Sequence, residues 1–205
     1  MNIGIDLDGV LTNYRQFAIE KGQEYCKKNG KEKLLNPEAY YINDMYNWNK
    51  ETELDFWSKN IFLYAEKNPV ITGAPENIKK LKEDGNTIFI ITARIFASPD
   101  TECSDEIKEK MRKTVKNWLY KNKIEYDYLV FSRENKTKDI KENNIDIMVE
   151  DSPNNLKQLS KLTKMICVDW PYNKNIEDDN IYRCYNWNEI YEKIIEIYGK
   201  IKKET

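Results

Sequence analysis

The run Thr87-Ile-Phe-Ile-Ile-Thr92 restricts the fold more than any other stretch of this chain. It is continuously apolar and β-branched, with no polar residue at alternate positions, which is the pattern of a strand buried on both faces. Strands of that kind belong to parallel sheets covered by helices above and below. Shorter runs at Ile3 to Ile5, Tyr128 to Phe131, Ile145 to Val149, Met165 to Val168 and Ile181 to Cys184 repeat the theme, with helical patterns between them. The expected class is therefore α/β, with a mostly parallel sheet sandwiched by helices.

The segments between the strands predict specific helices. Asn13 to Asn29 places Phe17, Ala18, Gly22, Tyr25 and Cys26 towards one side and has Gly30 as its stop. Lys31 to Asn68 lacks a strand pattern, is broken at Pro37, and concentrates aromatics at Tyr40, Tyr41, Tyr46, Trp48, Phe56, Trp57, Phe62 and Tyr64. It predicts short helices, one over about 50–59. Together with the preceding helix they make a helical insert of residues 13–69, leaving 1–12 and 70–205 as the α/β core. Within that core, Pro75 opens a helix through Leu81 and Gly85 stops it. Ser104, with Asp105 and Glu106, opens a long amphipathic helix carrying Ile107, Met111, Val115, Trp118 and Leu119. A modest helix runs to Asn143, Ser152 and Pro153 begin one that reaches about Leu162, and Asn188 to Ile201 closes the chain before a Lys-Lys-Glu-Thr end expected to fray.

Composition removes several classes of function. Lys and Arg number 33 against 35 Asp and Glu, so no basic excess marks a nucleic-acid binder. No apolar run approaches the roughly 18 residues of a membrane span, and the chain opens directly on a strand, so a cytoplasmic protein is expected. The four cysteines are widely spaced and form no Cys-x-x-Cys pair, which argues for free thiols. Histidine is absent altogether. Without it, His-based triads and most zinc or iron centres drop out, and carboxylates, hydroxyls, lysine and hard cations remain.

Parallel sheets bind ligands at the carboxyl ends of their strands. The residues that follow strands here are Asp6 and Asp8, Thr92 with the Ala93 N–H, Lys136, and Glu150 with Asp151. Two carboxylates about 4 Å apart repel by about 4 kcal/mol at an effective dielectric of 20, so a cluster of four needs a cation. Without histidine that cation is expected to be Mg²⁺, whose shell a phosphate would complete. Thr92, the Ala93 N–H and Lys136 are then placed to hold phosphoryl oxygens, with Lys138 the competing lysine. Asp6 can attack phosphorus, and Asp8 can protonate the leaving oxygen and later deprotonate water. Arg94 pairs either with substrate or with an acid of the cluster.

In order and spacing this quartet resembles the haloacid dehalogenase superfamily of phosphohydrolases: Asp6-Leu7-Asp8-Gly9-Val10, Thr92, Lys136 and Glu150-Asp151. The resemblance implies a Rossmann-like core with a helical cap between the first and second motifs. It also implies a metal held by the Asp6 side chain, the Asp8 backbone carbonyl and Asp151, with Glu150 reaching it through water. A finer resemblance is to the type C 5′(3′)-deoxyribonucleotidases and their bacterial relatives. It rests on the insert, Asn135-Lys136, Ile145-Asp146-Ile147, Trp170-Pro171-Tyr172-Asn173 and Asn186-Trp187. That family stacks insert aromatics on the nucleobase, which makes Trp48, Phe56 and Trp57 the candidates here, while Arg94 departs from its pattern. The implied activity is a Mg²⁺-dependent phosphomonoesterase acting through an aspartyl-phosphate on nucleoside monophosphates. The alternatives are a phosphatase of another small metabolite, such as a sugar phosphate, and a phosphate-binding regulatory module.

Overall fold

The structure is a computed structural model that describes residues 1–204, with side chains described through residue 199. The strands are β1 (Asn2–Ile5), β2 (Thr87–Thr92), β3 (Tyr128–Phe131), β4 (Ile147–Glu150), β5 (Lys164–Val168) and β6 (Ile181–Cys184). They form one sheet in the order β3-β2-β1-β4-β5-β6, with every neighbouring pair parallel. All the strand ends therefore lie along one edge. The chain winds outward from β1 on one side and from β4 on the other, so the switch in strand order lies between β1 and β4.

Strand side chains alternate between two covered faces. Ile88 and Ile90 of β2 join one core with the buried residues of α4 (Ala74–Glu83), α5 (Asp105–Lys121) and α8 (Trp187–Glu204). Phe89 and Ile91 join the other, with Ile140 of α6 (Thr137–Glu142) and Leu156 and Leu159 of α7 (Pro153–Leu159). A strand with two apolar faces needs exactly such a sandwich, which is why Thr87–Thr92 carries no polar alternation.

Between β1 and α4 lie α1 (Tyr14–Asn29), α2 (Ile42–Tyr46) and α3 (Lys50–Lys67). The Asn13 side chain caps α1 by accepting from the Gln16 N–H, and Gly30 ends it at φ 62°. Gly22 is where α1 meets α2: a Cβ there would lie 2.4 Å from the Tyr46 ring, so only glycine admits the packing. Thr12 and Val70 pair as an isolated antiparallel bridge, and the Ile71 N–H donates to the Leu11 carbonyl at 2.8 Å. The chain thus leaves the sheet edge and returns to it at one point.

Several expected boundaries move. The helix expected to stop near Lys59 continues to Lys67, because Ile61, Tyr64 and Ala65 extend its buried face. β4 begins at Ile147 rather than Ile145 and ends on Glu150; Asn144, at φ 47°, and the Ile145 N–H bonded to Ile140 O still belong to the turn that closes α6. α7 stops at Leu159, three residues early, and Leu162 is exposed. Ile107 also faces out from α5. α8 runs through Glu204, so the end expected to fray is helical up to there, and Thr205 lies outside the described residues.

Candidate active site

Asp6 leaves β1 and Glu150 ends β4, the two strands that flank the switch in order, so their side chains start from adjacent strand ends. Lys136, on the turn between β3 and α6, reaches both. Its Nζ lies 2.7 Å from Asp6 Oδ1 and 2.8 Å from Glu150 Oε2. It is 1% exposed, whereas Lys138 is exposed and sits 3.6 Å from Glu142 on the outside of α6. Glu150 also accepts the backbone N–H groups of Asp151 and Ser152 at 3.0 and 3.1 Å and the Asn155 amide at 3.2 Å. Both of its oxygens are therefore occupied in fixing Lys136 and the turn into α7.

Asp151 completes the cluster. Its Oδ2 accepts from the Tyr172 hydroxyl, and its Oδ1 is buried without a hydrogen-bond partner. One oxygen each from Asp6, Glu150 and Asp151 lie within 4.8 Å of one another. Gly9 permits this approach: at φ 80° it needs glycine's freedom, and a Cβ would stand 2.0 Å from Asp151 Oδ2. Burial, then repulsion from Glu150, raises the Asp6 carboxyl well above its ordinary range against the pull of Lys136. Burial and repulsion from Glu150 and Asp6 raise Asp151 in the same way. Glu150 goes down: burial works to raise it, and Lys136 with the two N–H donors outweighs that.

Three buried carboxyl groups have one ammonium among them, paired with Asp6 and Glu150, so their full ionisation leaves two negative charges without compensation. A divalent cation with oxygen ligands matches that deficit, and the partnerless Asp151 Oδ1 is a ready ligand atom. The residues present thus fit the metal that the acidic cluster implies.

Asp8 lives in a different environment. Arg94 grips it with Nε, at 3.2 Å from Oδ2, and with Nη2 on Oδ1. The Tyr64 hydroxyl donates to Oδ1 at 2.5 Å, and Thr12 Oγ1 stands 3.3 Å from the same oxygen. The guanidinium carbon lies 4.8 Å from the centre of the Tyr64 ring. Burial works to raise Asp8, but the Arg94 charge and hydrogen bonds, with Tyr64, hold the carboxyl below its usual value. Arg94 thus pairs with an acid of the cluster, Asp8.

Two late tryptophans hold the loop that carries both aspartates. Trp170 Nε1 donates to the Gly9 carbonyl at 2.7 Å and Trp187 Nε1 to the Val10 carbonyl at 3.2 Å. Asn173 Nδ2 donates to the Asp151 and Val168 carbonyls at 2.9 and 2.8 Å, fixing the turn after β4. The motifs Trp-Pro-Tyr-Asn and Asn-Trp therefore brace the carboxyl edge of the sheet. Thr92 is fully buried at the end of β2, where its Oγ1 accepts the Arg94 N–H at 3.2 Å.

A cavity of about 420 Å³ opens above this edge, a volume in the range of small-molecule sites. Asp6, Asp8, Ala93, Arg94, Lys136 and Asp151 form its floor. Its roof comes from the helical insert, including Tyr14, Tyr40 and the α3 residues Trp57, Ile61 and Tyr64. Trp48 and Phe56 do not line it. Trp48 stacks on Tyr46 at 4.7 Å, and Phe56, fully buried, packs edge-on to Trp57 and Tyr25, so both fill the interior of the insert. The residues that pattern reasoning missed are Tyr64 and Tyr172. Lys50, Glu53, Trp57, Ile61 and Tyr64 recur at helical spacing and all face the cavity, a signal visible only if α3 is carried past Lys59.

A family model described as 5′ nucleotidase, deoxy (pyrimidine), cytosolic type C protein matches residues 1–201. The chain belongs to that family. As a member it is a phosphoric monoester hydrolase. A nucleotidase of Clostridium acetobutylicum is 28% identical over 202 residues, spanning 98% of this chain and 96% of the relative. Among solved structures, a haloacid dehalogenase-like hydrolase from Xanthomonas campestris superposes with a TM-score of 0.62 at 9% identity, over 100% of this chain and 94% of that one. A β-phosphoglucomutase from Clostridium difficile gives 0.61 at 15% identity, over 98% and 97%. The fold of the type C family member described here is thus the haloacid dehalogenase fold. No helix among the described residues is long and apolar enough to cross a membrane.

Proposed function

We propose that this chain is a Mg²⁺-dependent 5′-nucleotidase that cleaves (deoxy)nucleoside monophosphates through a phosphoryl group carried on Asp6. One observation supports this above the rest: the Asp6 carboxylate lies on the floor of a cavity with Lys136 and Asp151 beside it and aromatic rings of the insert above. Asp6 attacks the phosphorus in line and the ester oxygen leaves, taking a proton from Asp8; a water then attacks the aspartyl-phosphate and returns a proton to Asp8. Lys136, the Thr92 hydroxyl and the Ala93 N–H hold the phosphoryl oxygens as charge builds on them. Asp6, Asp151 and the Asp8 carbonyl are the ligands assigned to Mg²⁺, with Glu150 contributing charge behind them. When bound, the ion neutralises the phosphate that Asp6 approaches.

The same reading divides the chain into a core of residues 1–12 and 70–205 and a cap of 13–69, supported by the Thr12–Val70 bridge at its stem. Trp57 is the aromatic assigned to the nucleobase, since it alone of the three candidates lines the cavity. The family description and the four free thiols support a cytoplasmic location. The test is hydrolysis of a panel of nucleoside monophosphates, sugar phosphates and p-nitrophenyl phosphate with Mg²⁺ or EDTA. Asp6→Asn is expected to lose on the order of 10⁴-fold or more in kcat with its circular dichroism unchanged. Turnover retained in that variant removes the mechanism, and a panel in which only sugar phosphates react removes the nucleotide.

A further inference from the structure

The two oxygens of Asp8 are not equivalent. Oδ1 has the Tyr64 hydroxyl at 2.5 Å, Arg94 Nη2, and the Thr12 hydroxyl at 3.3 Å. Among the described residues, Oδ2 has only Arg94 Nε, at 3.2 Å. An ionised carboxylate oxygen offers about two lone-pair sites. Three donors saturate Oδ1, while Oδ2 keeps one site open. Arg94 and Tyr64 are buried, whereas the Asp8 side chain is 28% exposed and lines the cavity. Two of these three donors come from the core. The third, Tyr64, comes from α3 in the helical insert, and it is also 2.7 Å from Thr12 Oγ1 at the insert's stem.

We infer that Arg94 and Tyr64 are positioning residues for the acid and base of this reaction. They fasten Oδ1, so that Oδ2 is the oxygen that exchanges the proton, and they make that exchange depend on α3 being seated over the core. This rests on the proposed role of Asp8. In the first half-reaction the bond from phosphorus to the ester oxygen breaks as Asp6 forms its own, and the proton on Oδ2 passes to the departing oxygen. In the second, water bonds to phosphorus, the bond to Asp6 breaks, and the water's proton goes to Oδ2. The proton count closes over one turnover. A fork of two N–H groups on one carboxylate fixes its plane, and a hydroxyl on the same edge fixes its rotation, so the working oxygen faces a single direction.

The discriminating measurement is the single-turnover rate of Asp6 phosphorylation, by rapid quench, from an alkyl monoester and from p-nitrophenyl phosphate. A deoxynucleoside monophosphate serves as the alkyl ester. Its alkoxide needs a proton to leave, and p-nitrophenolate does not. Tyr64→Phe is expected to slow the alkyl ester by about 10-fold, a fraction of the 10²- to 10⁴-fold typical of general acid catalysis, with the aryl ester within twofold of wild type and KM unchanged for both. Arg94→Lys keeps a charge beside Asp8 but loses the fork, and is expected to show the same selective loss. It also replaces the riskier Arg94→Gln, which would leave Asp8 without its cation. Equal losses on both esters, or no loss on either, overturn the assignment. A wild-type enzyme that cleaves p-nitrophenyl phosphate and sugar phosphates but no nucleotide overturns the nucleotide reading instead, and the comparison then runs on the sugar phosphate.

Discussion

The sheet edge and the helical insert meet across one cavity and are built on opposite rules. At the edge, Asp6, Glu150 and Asp151 crowd charge into the interior, and Lys136 offsets only part of it. In the insert, Tyr25, Trp48, Phe56 and Trp57 interlock with centroid distances of 5.0 to 5.7 Å, and burial of apolar rings does the stabilising. The contrast separates two tasks. The edge holds an unfavourable arrangement of buried charge, while the insert is a wall of packed rings that carries no such charge.

That difference can be broken from either side. Lys136→Ala is expected to have the largest effect on stability, about 3–5 kcal/mol in urea denaturation without Mg²⁺, because it leaves three buried carboxylates with no ammonium. Phe56→Ala should cost a comparable 3 kcal/mol or so through the cavity it leaves, and that cost should be the same with and without Mg²⁺. Mg²⁺ at about one hundred times its Kd is expected to stabilise the wild type by about 2.7 kcal/mol. Asp151→Asn should erase that gain in a thermal melt, and Trp57→Ala should keep it.

The smallest effect belongs to a carboxylate remote from both regions. Asp127 accepts the Ile88 N–H at 2.8 Å and pairs with Lys82. Burial works to raise it, and the N–H with Lys82 outweighs that and lowers it below the ordinary value. Its contribution is therefore present above the unfolded carboxyl pKa and lost as pH falls through the folded one. Solvent screening limits it to about 1 kcal/mol. Asp127→Asn should lower stability by no more than that at pH 7, with wild type and variant converging as the pH drops below the folded pKa in an acid titration.

The edge was legible in the sequence because its signals are local. An apolar run that ends in an acid locates both a strand and a candidate site residue, and the parallel sheet brings all such ends together. Asp6, Asp8, Ala93, Lys136 and Asp151 line the cavity as strand ends should, and Thr92 is buried just behind it. The insert was less legible because its aromatics are sorted by helix rotation and packing. Phe56 and Trp57 are neighbours in sequence, yet one residue turns about 100° around the helix, which sends the first into the interior and leaves the second on the cavity. Tyr64, two turns on from Trp57, lies beyond the point where pattern alone ended the helix. Tyr172 had a motif to mark it, but its hydroxyl on Asp151 depends on the turn after β5, which no periodicity encodes.

The indoles of Trp170 and Trp187 fasten a loop 161 and 177 residues earlier in the chain. The two clasps come from the turn after β5 and the start of α8, far along the chain from the loop they hold. The residues up to the end of α5 include Asp6 and Asp8 but not Lys136, Asp151 or either clasp. A truncation that removes α8 with Trp187 unfastens the turn that follows Asp6 and Asp8, although it deletes neither aspartate.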